Sequence, residues 1–160
     1  MVQIATVGVY GFTAATFLAA LQGAGVGLVL DVRQRRGVRG SEYAWANSQR
    51  LQALLADAEI DYEHHRELAP TTELRQLQYA EDDRRGVGKR NRAELAPEYA
   101  RRYVGEILDQ VDVGELVADL PDGELAALLC VERDPEACHR SLIADRLASE
   151  LGARVTDLRP

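Results

Sequence analysis

The 160-residue chain is poor in the residues that build covalent or metal frameworks, with two cysteines, three histidines, one methionine and one tryptophan. Two cysteines cannot make a disulfide framework, and in a reducing compartment both are expected as thiols unless they cycle catalytically. A closed Cys/His zinc site would need nearly every cysteine and histidine, at an unfamiliar spacing, so neither a metal nor a cofactor is expected. No apolar run approaches the roughly 20 residues of a membrane helix. Met1–Val9 lacks the basic start and cleavage site of a signal peptide. These absences point to a cytoplasmic protein that does not enter a membrane.

What is present is the composition of a soluble globular domain, 46% hydrophobic and 28% charged, in a chain of the length of one ordinary domain. A single domain over 1–160 follows. Apolar runs at Ile4–Val9, Val26–Val32 and Leu125–Val131 read as buried strands, with weaker ones at Ile60–His64 and Arg154–Leu158. Between them, helical spacing predicts a helix capped by Thr13 and ending near Gly23 and Gly25, another over Ala46–Ala58, a third over Pro97–Leu116 and a fourth over Ala137–Leu151. This alternation predicts an α/β fold, a three-layer α/β/α domain with a mostly parallel sheet of about five strands. The exception is a polar stretch over about 65–96, read as a long loop with lid-like character and a short helix near Thr72–Glu81. Within it, Gly86-Val87-Gly88-Lys89 lacks the spacing and the following Ser/Thr of a phosphate-binding P-loop.

The net charge is −7, yet Arg33, Arg35, Arg36 and Arg39 crowd one short stretch and Arg84, Arg85, Lys89, Arg90 and Arg92 another. An acidic body discourages non-specific adhesion to nucleic acid, while two basic loops can still receive a phosphate-bearing ligand; solvated surface is the competing reading. In a parallel α/β sheet, ligands bind beyond the carboxyl ends of the strands, where every strand-to-helix loop opens. The chemically suggestive residues all fall there. Asp31, His64, Glu132, Cys138 and His139 are the candidates for acid, base, orienting or nucleophilic roles, and Tyr10, Arg33, Arg36, Arg140 and Ser141 for holding an anion. Each also has a structural reading: Asp31 as a turn cap or partner of Arg33, His64 as a rim histidine, Cys130 as a small buried hydrophobe, Trp45 as a core residue. Pro135 and Glu136 suit the start of a helix, which would put Cys138, His139 and Arg140 in its first turn, where unpaired N–H groups favour anions and lower a thiol's pKa.

Val7-Gly8 after the first strand, Asp31-Val32-Arg33 after the second, Tyr62–Leu68, and Leu128–Ala144 with its Cys-x-Glu…Cys-His-Arg-Ser-x-Ile-Ala string resemble the DUF488 family. The resemblance runs through nearly the whole chain and implies an α/β fold without supplying a reaction. Two departures stand out: Ala69-Pro70 where the family often has Gly-Gly, and Gln34-Arg35-Arg36-Gly37 where it has prolines. The expected function is binding, or acting on, a phosphate-bearing small molecule or nucleic acid at the sheet's carboxyl edge. A non-enzymatic nucleic-acid or protein-binding module is the alternative, and rhodanese- or phosphatase-like thiol chemistry a narrower one. Oligomeric state is not legible.

Overall fold

The computed structural model describes residues 2–160. Five strands, β1 (Gln3–Val7), β2 (Val26–Asp31), β3 (Asp61–His64), β4 (Leu125–Leu129) and β5 (Arg154–Leu158), form one sheet in the order β3-β2-β4-β1-β5. Every pairing is parallel. Five α-helices, α1 (Ala14–Ala24), α2 (Ser48–Asp57), α3 (Thr72–Arg85), α4 (Pro97–Glu106) and α5 (Arg140–Leu151), are joined by short 3-10 turns. None is long and apolar enough to cross a membrane.

Alternation along the central strands sorts the layers. Ala5, Val7, Ala127 and Leu129 face a core filled by Phe17 and Leu21 of α1 and Leu51 and Leu55 of α2. Ile4, Leu30, Ala126 and Leu128 face the other, with Leu74 of α3, Tyr103 of α4, and Ile143 and Leu147 of α5. The chain moves outward from β1 through β2 to β3 with its helices on one face, then returns to β4 and β5 with its helices on the other. That is what right-handed crossovers require. The helices following β1 and β4, which are neighbours, therefore depart to opposite faces and leave a crevice at the sheet's carboxyl edge. Gly8 lets the two strand ends converge there: a Cβ would overlap the carbonyl of Glu132. Val9 and Tyr10 both donate their N–H groups to the Val131 carbonyl, at 3.0 and 3.1 Å.

Helix starts follow the side chains. Thr13 caps α1 in a reciprocal box with Thr16, and Gly25 ends it in the left-handed conformation. Three expectations are corrected. The stretch read as a loop holds the 14-residue α3, capped by Thr71 and closed by Gly86, which extends four residues past the expected short helix. The helix expected over Pro97–Leu116 stops at Glu106 and continues as 3-10 turns at Leu108–Gln110 and Val113–Val117. The last helix begins at Arg140 and not at Ala137, because Cys138 is extended at φ −141°, ψ 151° and separates a 3-10 turn at Pro135–Ala137 from α5.

Candidate functional site

A cavity of about 740 Å³ occupies the crevice. The segments after β1 (Tyr10), after β2 (Arg33, Gln34, Arg35, Val38, Arg39) and after β4 (Cys130, Glu132, Cys138, His139) form its floor and one wall, and α3 with the turn after it forms the other (Arg75, Gln78, Tyr79, Lys89, Arg90, Arg92). Seven of its lining residues, Arg33, Arg35, Arg39, Arg75, Lys89, Arg90 and Arg92, are cationic, against the single carboxylate of Glu132.

These cations differ in how they are held. Arg33 is buried and committed: Nε and Nη2 donate to Asp31 at 2.9 and 2.8 Å, and Nη1 donates to the Ala46 carbonyl at 3.0 Å. Arg92 is buried likewise, with Nη2 2.7 Å from Asp82 and Nη1 3.4 Å from Glu132 and 3.1 Å from the Ala137 carbonyl. Arg90 lies over the rings of Tyr10 and Tyr43, at 4.9 and 5.3 Å from their centroids, with Glu42 at 3.5 Å. Arg75 donates to Gln34 Oε1 at 2.7 Å and to the Tyr79 hydroxyl at 3.0 Å, both neutral partners. Among the described residues, Arg35, Arg39, Arg75 and Lys89 make no ion pair, so four positive charges face the cavity without a carboxylate.

The floor is built on the Cys-x-Glu…Cys-His-Arg string. Cys130 and Cys138 are joined as a disulfide, which corrects the expectation of two thiols. Two elements that are separate in sequence meet there, the end of β4 and the extended residue before α5. Both residues are nearly inaccessible, at 3% and 1% exposure, which also corrects the reading of Cys138 as an open thiolate in a helix's first turn. The Arg140 N–H, at the start of α5, points at Cys138 Sγ from 3.5 Å. Glu132 Oε2 lies 2.8 Å from Cys130 Sγ. His139 is buried, and burial pushes its pKa below the usual imidazole value, outweighing the carbonyl and carboxylates around it. A carbonyl only accepts, so the 2.8 Å contact of His139 Nε2 with the Val32 carbonyl places the proton on Nε2. Nδ1 is then bare, facing Cys138 Sγ at 3.6 Å and Cys130 Sγ at 3.9 Å. The ligand atoms of Cys130, Cys138 and His139 lie within 4.8 Å of one another. Spacing along the chain gave no hint of this grouping.

Of the residues singled out from sequence, Glu132, Cys138, His139, Tyr10 and Arg33 line the cavity, whereas Asp31, His64, Arg36, Arg140 and Ser141 do not. Asp31 is fully buried, and its oxygens are taken by Arg33 and by the Tyr62 hydroxyl at 2.6 Å, so it orients Arg33 and has no lone pair directed at a substrate. His64 donates from Nε2 to the Arg33 carbonyl at 2.9 Å. Arg36 reaches the Tyr62 hydroxyl at 3.3 Å. Ser141 Oγ donates to the Cys138 carbonyl at 2.9 Å. Arg140, read as half of an anion clamp, is fully buried and donates to the carbonyls of Glu132 at 2.7 Å and Arg133 at 3.1 Å. Trp45 packs on Phe17 with ring centroids 4.8 Å apart and offers no platform in the cavity.

The residues missed are Arg75, Gln78, Tyr79, Asp82 and Tyr99. One sequence signal marks two of them: Gln78 and Asp82 follow Leu74 at i, i+4 spacing on the buried side of α3. A polar pair continuing an apolar helix face has to find partners inside. Gln78 donates to Asp82 and accepts from the Ala96 N–H, each at 2.9 Å.

A family model described as "Domain of unknown function DUF488" matches residues 13–147. No curated protein and no solved structure matches the chain.

Proposed function

Because this chain belongs to the DUF488 family, whose description assigns no activity, we propose a function from the cavity itself: it receives a small phosphate-bearing molecule of nucleotide size. The observation that carries the reading is the charge of the lining, seven arginines and lysines against one carboxylate in a protein whose net charge is −7. Guanidinium groups match phosphate oxygens in geometry as well as charge. A volume of about 740 Å³ falls within the roughly 300 to 1,000 Å³ of small-molecule sites. Tyr10, Tyr79 and Tyr99 supply flat apolar surface beside the cations, as an aromatic base would require.

A small ligand is favoured over a nucleic-acid strand because the second basic cluster is largely neutralised. Arg84 and Arg85 both pair with Glu81, and Arg85 also pairs with Glu94. Of the two basic clusters, Arg35, Arg36, Arg39 and Lys89 make no ion pair among the described residues, and three of these four line the cavity.

Calorimetry with inorganic phosphate, pyrophosphate and nucleoside mono- and diphosphates tests the reading, with Arg75→Met as the variant. Arg75 is partly exposed and makes no ion pair, so its loss should leave folding intact while weakening the binding of a phosphate-bearing ligand by roughly tenfold, the scale of a charge-assisted contact. Affinity should decline modestly with salt, whereas a nucleic-acid binder would show the steep dependence of counterion release. Absence of heat with every phosphate compound at low salt would reject the proposal.

A further inference from the structure

We propose that Cys130, Cys138 and His139 form a redox-gated site for a thiophilic divalent cation of the zinc class, open in the dithiol form and closed in the disulfide form. It goes beyond the phosphate reading and needs no ligand in the rest of the cavity.

The first support is distance. A tetrahedral ion about 2.3 Å from sulfur and about 2.0 Å from nitrogen sets its sulfur and nitrogen ligands roughly 3.5 Å apart. His139 Nδ1 stands 3.6 Å from one sulfur and 3.9 Å from the other. The Cα atoms of the two cysteines are 7.1 Å apart, beyond the roughly 4.4 to 6.8 Å most disulfides span, and a backbone at that spacing can present two separate thiolates. Reduction lets the sulfurs part while both stay beside the imidazole.

The second support is the imidazole itself. Its Nε2–H is held by the Val32 carbonyl, the outer contact that fixes the tautomer and aims the opposite nitrogen in metal-bound histidines. The ring is buried, the partners of its Nδ1 among the described residues are the two sulfurs, and a disulfide carries no S–H to offer it. A buried acceptor without a donor lacks its partner, and a cation between the three atoms supplies one. Glu132, 2.8 Å from Cys130 Sγ, is placed to accept that thiol's hydrogen bond before the ion enters. All three ligands line the large cavity, so the remaining coordination position opens onto it.

The chemistry balances with a thiol reductant. Two equivalents of thiol, or one dithiol, deliver two electrons and two protons to the Cys130–Cys138 bond and form their own disulfide. The divalent ion then displaces both thiol protons and gains two sulfur bonds and one nitrogen bond. Exposures of 3% and 1% keep the sulfurs from macromolecular thiols, so small reductants are the ones that open the site.

The full chain, reduced with a phosphine and freed of it without oxygen, is titrated with Co²⁺ alone in phosphate-free buffer. One ion per chain should bind with sulfur-to-cobalt charge-transfer absorption, and one equivalent of Zn²⁺ should bleach it, with a dissociation constant below about 1 μM for zinc. Cys138→Ser and His139→Gln should each weaken binding by roughly 100-fold or more. The oxidised chain should bind nothing until reduced again. Because a buried variant can fail to fold, the reduced wild type is also alkylated with and without Zn²⁺: protection of both cysteines supports the site, and equal labelling overturns it. A folded reduced protein without cobalt absorption, or an undiminished charge-transfer band in a folded Cys138→Ser variant, overturns it as well. Since no phosphate compound is present, neither result bears on the anion reading.

Discussion

Arg140 gives its guanidinium to two backbone carbonyls and no carboxylate, although it is the largest side chain in the fully buried set. Burial pushes its pKa down to about 10, against the attraction of Glu132, Asp157 and Glu136, and it remains a cation at neutral pH. The charge ties the Glu132–Arg133 corner to the first turn of α5, which brings Cys138 against Cys130. Arg140→Met should therefore lower stability by about 2 to 4 kcal/mol in denaturant titration, since two carbonyls lose a charged donor in a site closed to water. A loss under about 1 kcal/mol would return Arg140 to the anion-holding role suggested by its place in the sequence. The strings Asp31-Val32-Arg33 and Cys138-His139-Arg140 mark the right end of the sheet, but a string does not say where donors point. Arg33 takes up Asp31, a carbonyl takes up His64, and only the folded geometry separates Asp31 and His64 from Glu132 and His139, which line the cavity.

All five strands lie within about two residues of the expected spans: the central β1, β2 and β4 are legible as short buried apolar runs, and the edge strands β3 and β5, partly exposed, as weaker ones. Helix α3 was only partly legible. Its inner face carries Gln78 and Asp82, so its polar character resembles that of a loop, and partners distant in sequence make the burial possible. The turn joining β3 to that segment contains a pH-sensitive fastening. His65 sits between Glu63, 2.8 Å from Nε2, and Glu67, 2.6 Å from Nδ1. Burial alone would lower its pKa, but hydrogen bonds and charge from Glu67 and Glu63 raise it above 6.5. A folded pKa above the unfolded one contributes stability that is fully present below about 6.5 and lost as pH rises through the folded value. The stability difference between wild type and His65→Gln should thus be largest near about pH 6 and shrink toward about pH 9. A difference that grows with pH would mean that the ring acts by packing and not by charge.

At the scale of the whole molecule, the segment from β3 to α4 is a wall laid over the sheet edge, and Arg92 is its clasp. From the turn after α3 it reaches Asp82 on the helix, Glu132 beyond β4 and the Ala137 carbonyl before α5. The cavity lies between that wall and the loop after β2, which Arg75 bridges through Gln34, while Arg92 holds the far side of the wall down. A buried cation with two carboxylates gives little net stability over apolar packing, yet removing one partner strands the other, which costs about 3 to 5 kcal/mol. Asp82→Leu should fall in that range, and Arg92→Met should also destabilise. The double variant Asp82→Leu/Arg92→Met should cost less than the sum of the single changes by at least about 1 kcal/mol, because the two groups form one network. Hydrogen exchange gives the spatial half of the test. In a folded Arg92→Met protein, amides of α3 and the turn at Lys89–Asn91 should exchange faster while those of β1, β2 and β4 keep their protection, since the wall can open without unpairing the sheet. Uniform acceleration across sheet and wall would show instead that the two unfold as one unit, and Arg92 would then belong to the core and not to a clasp.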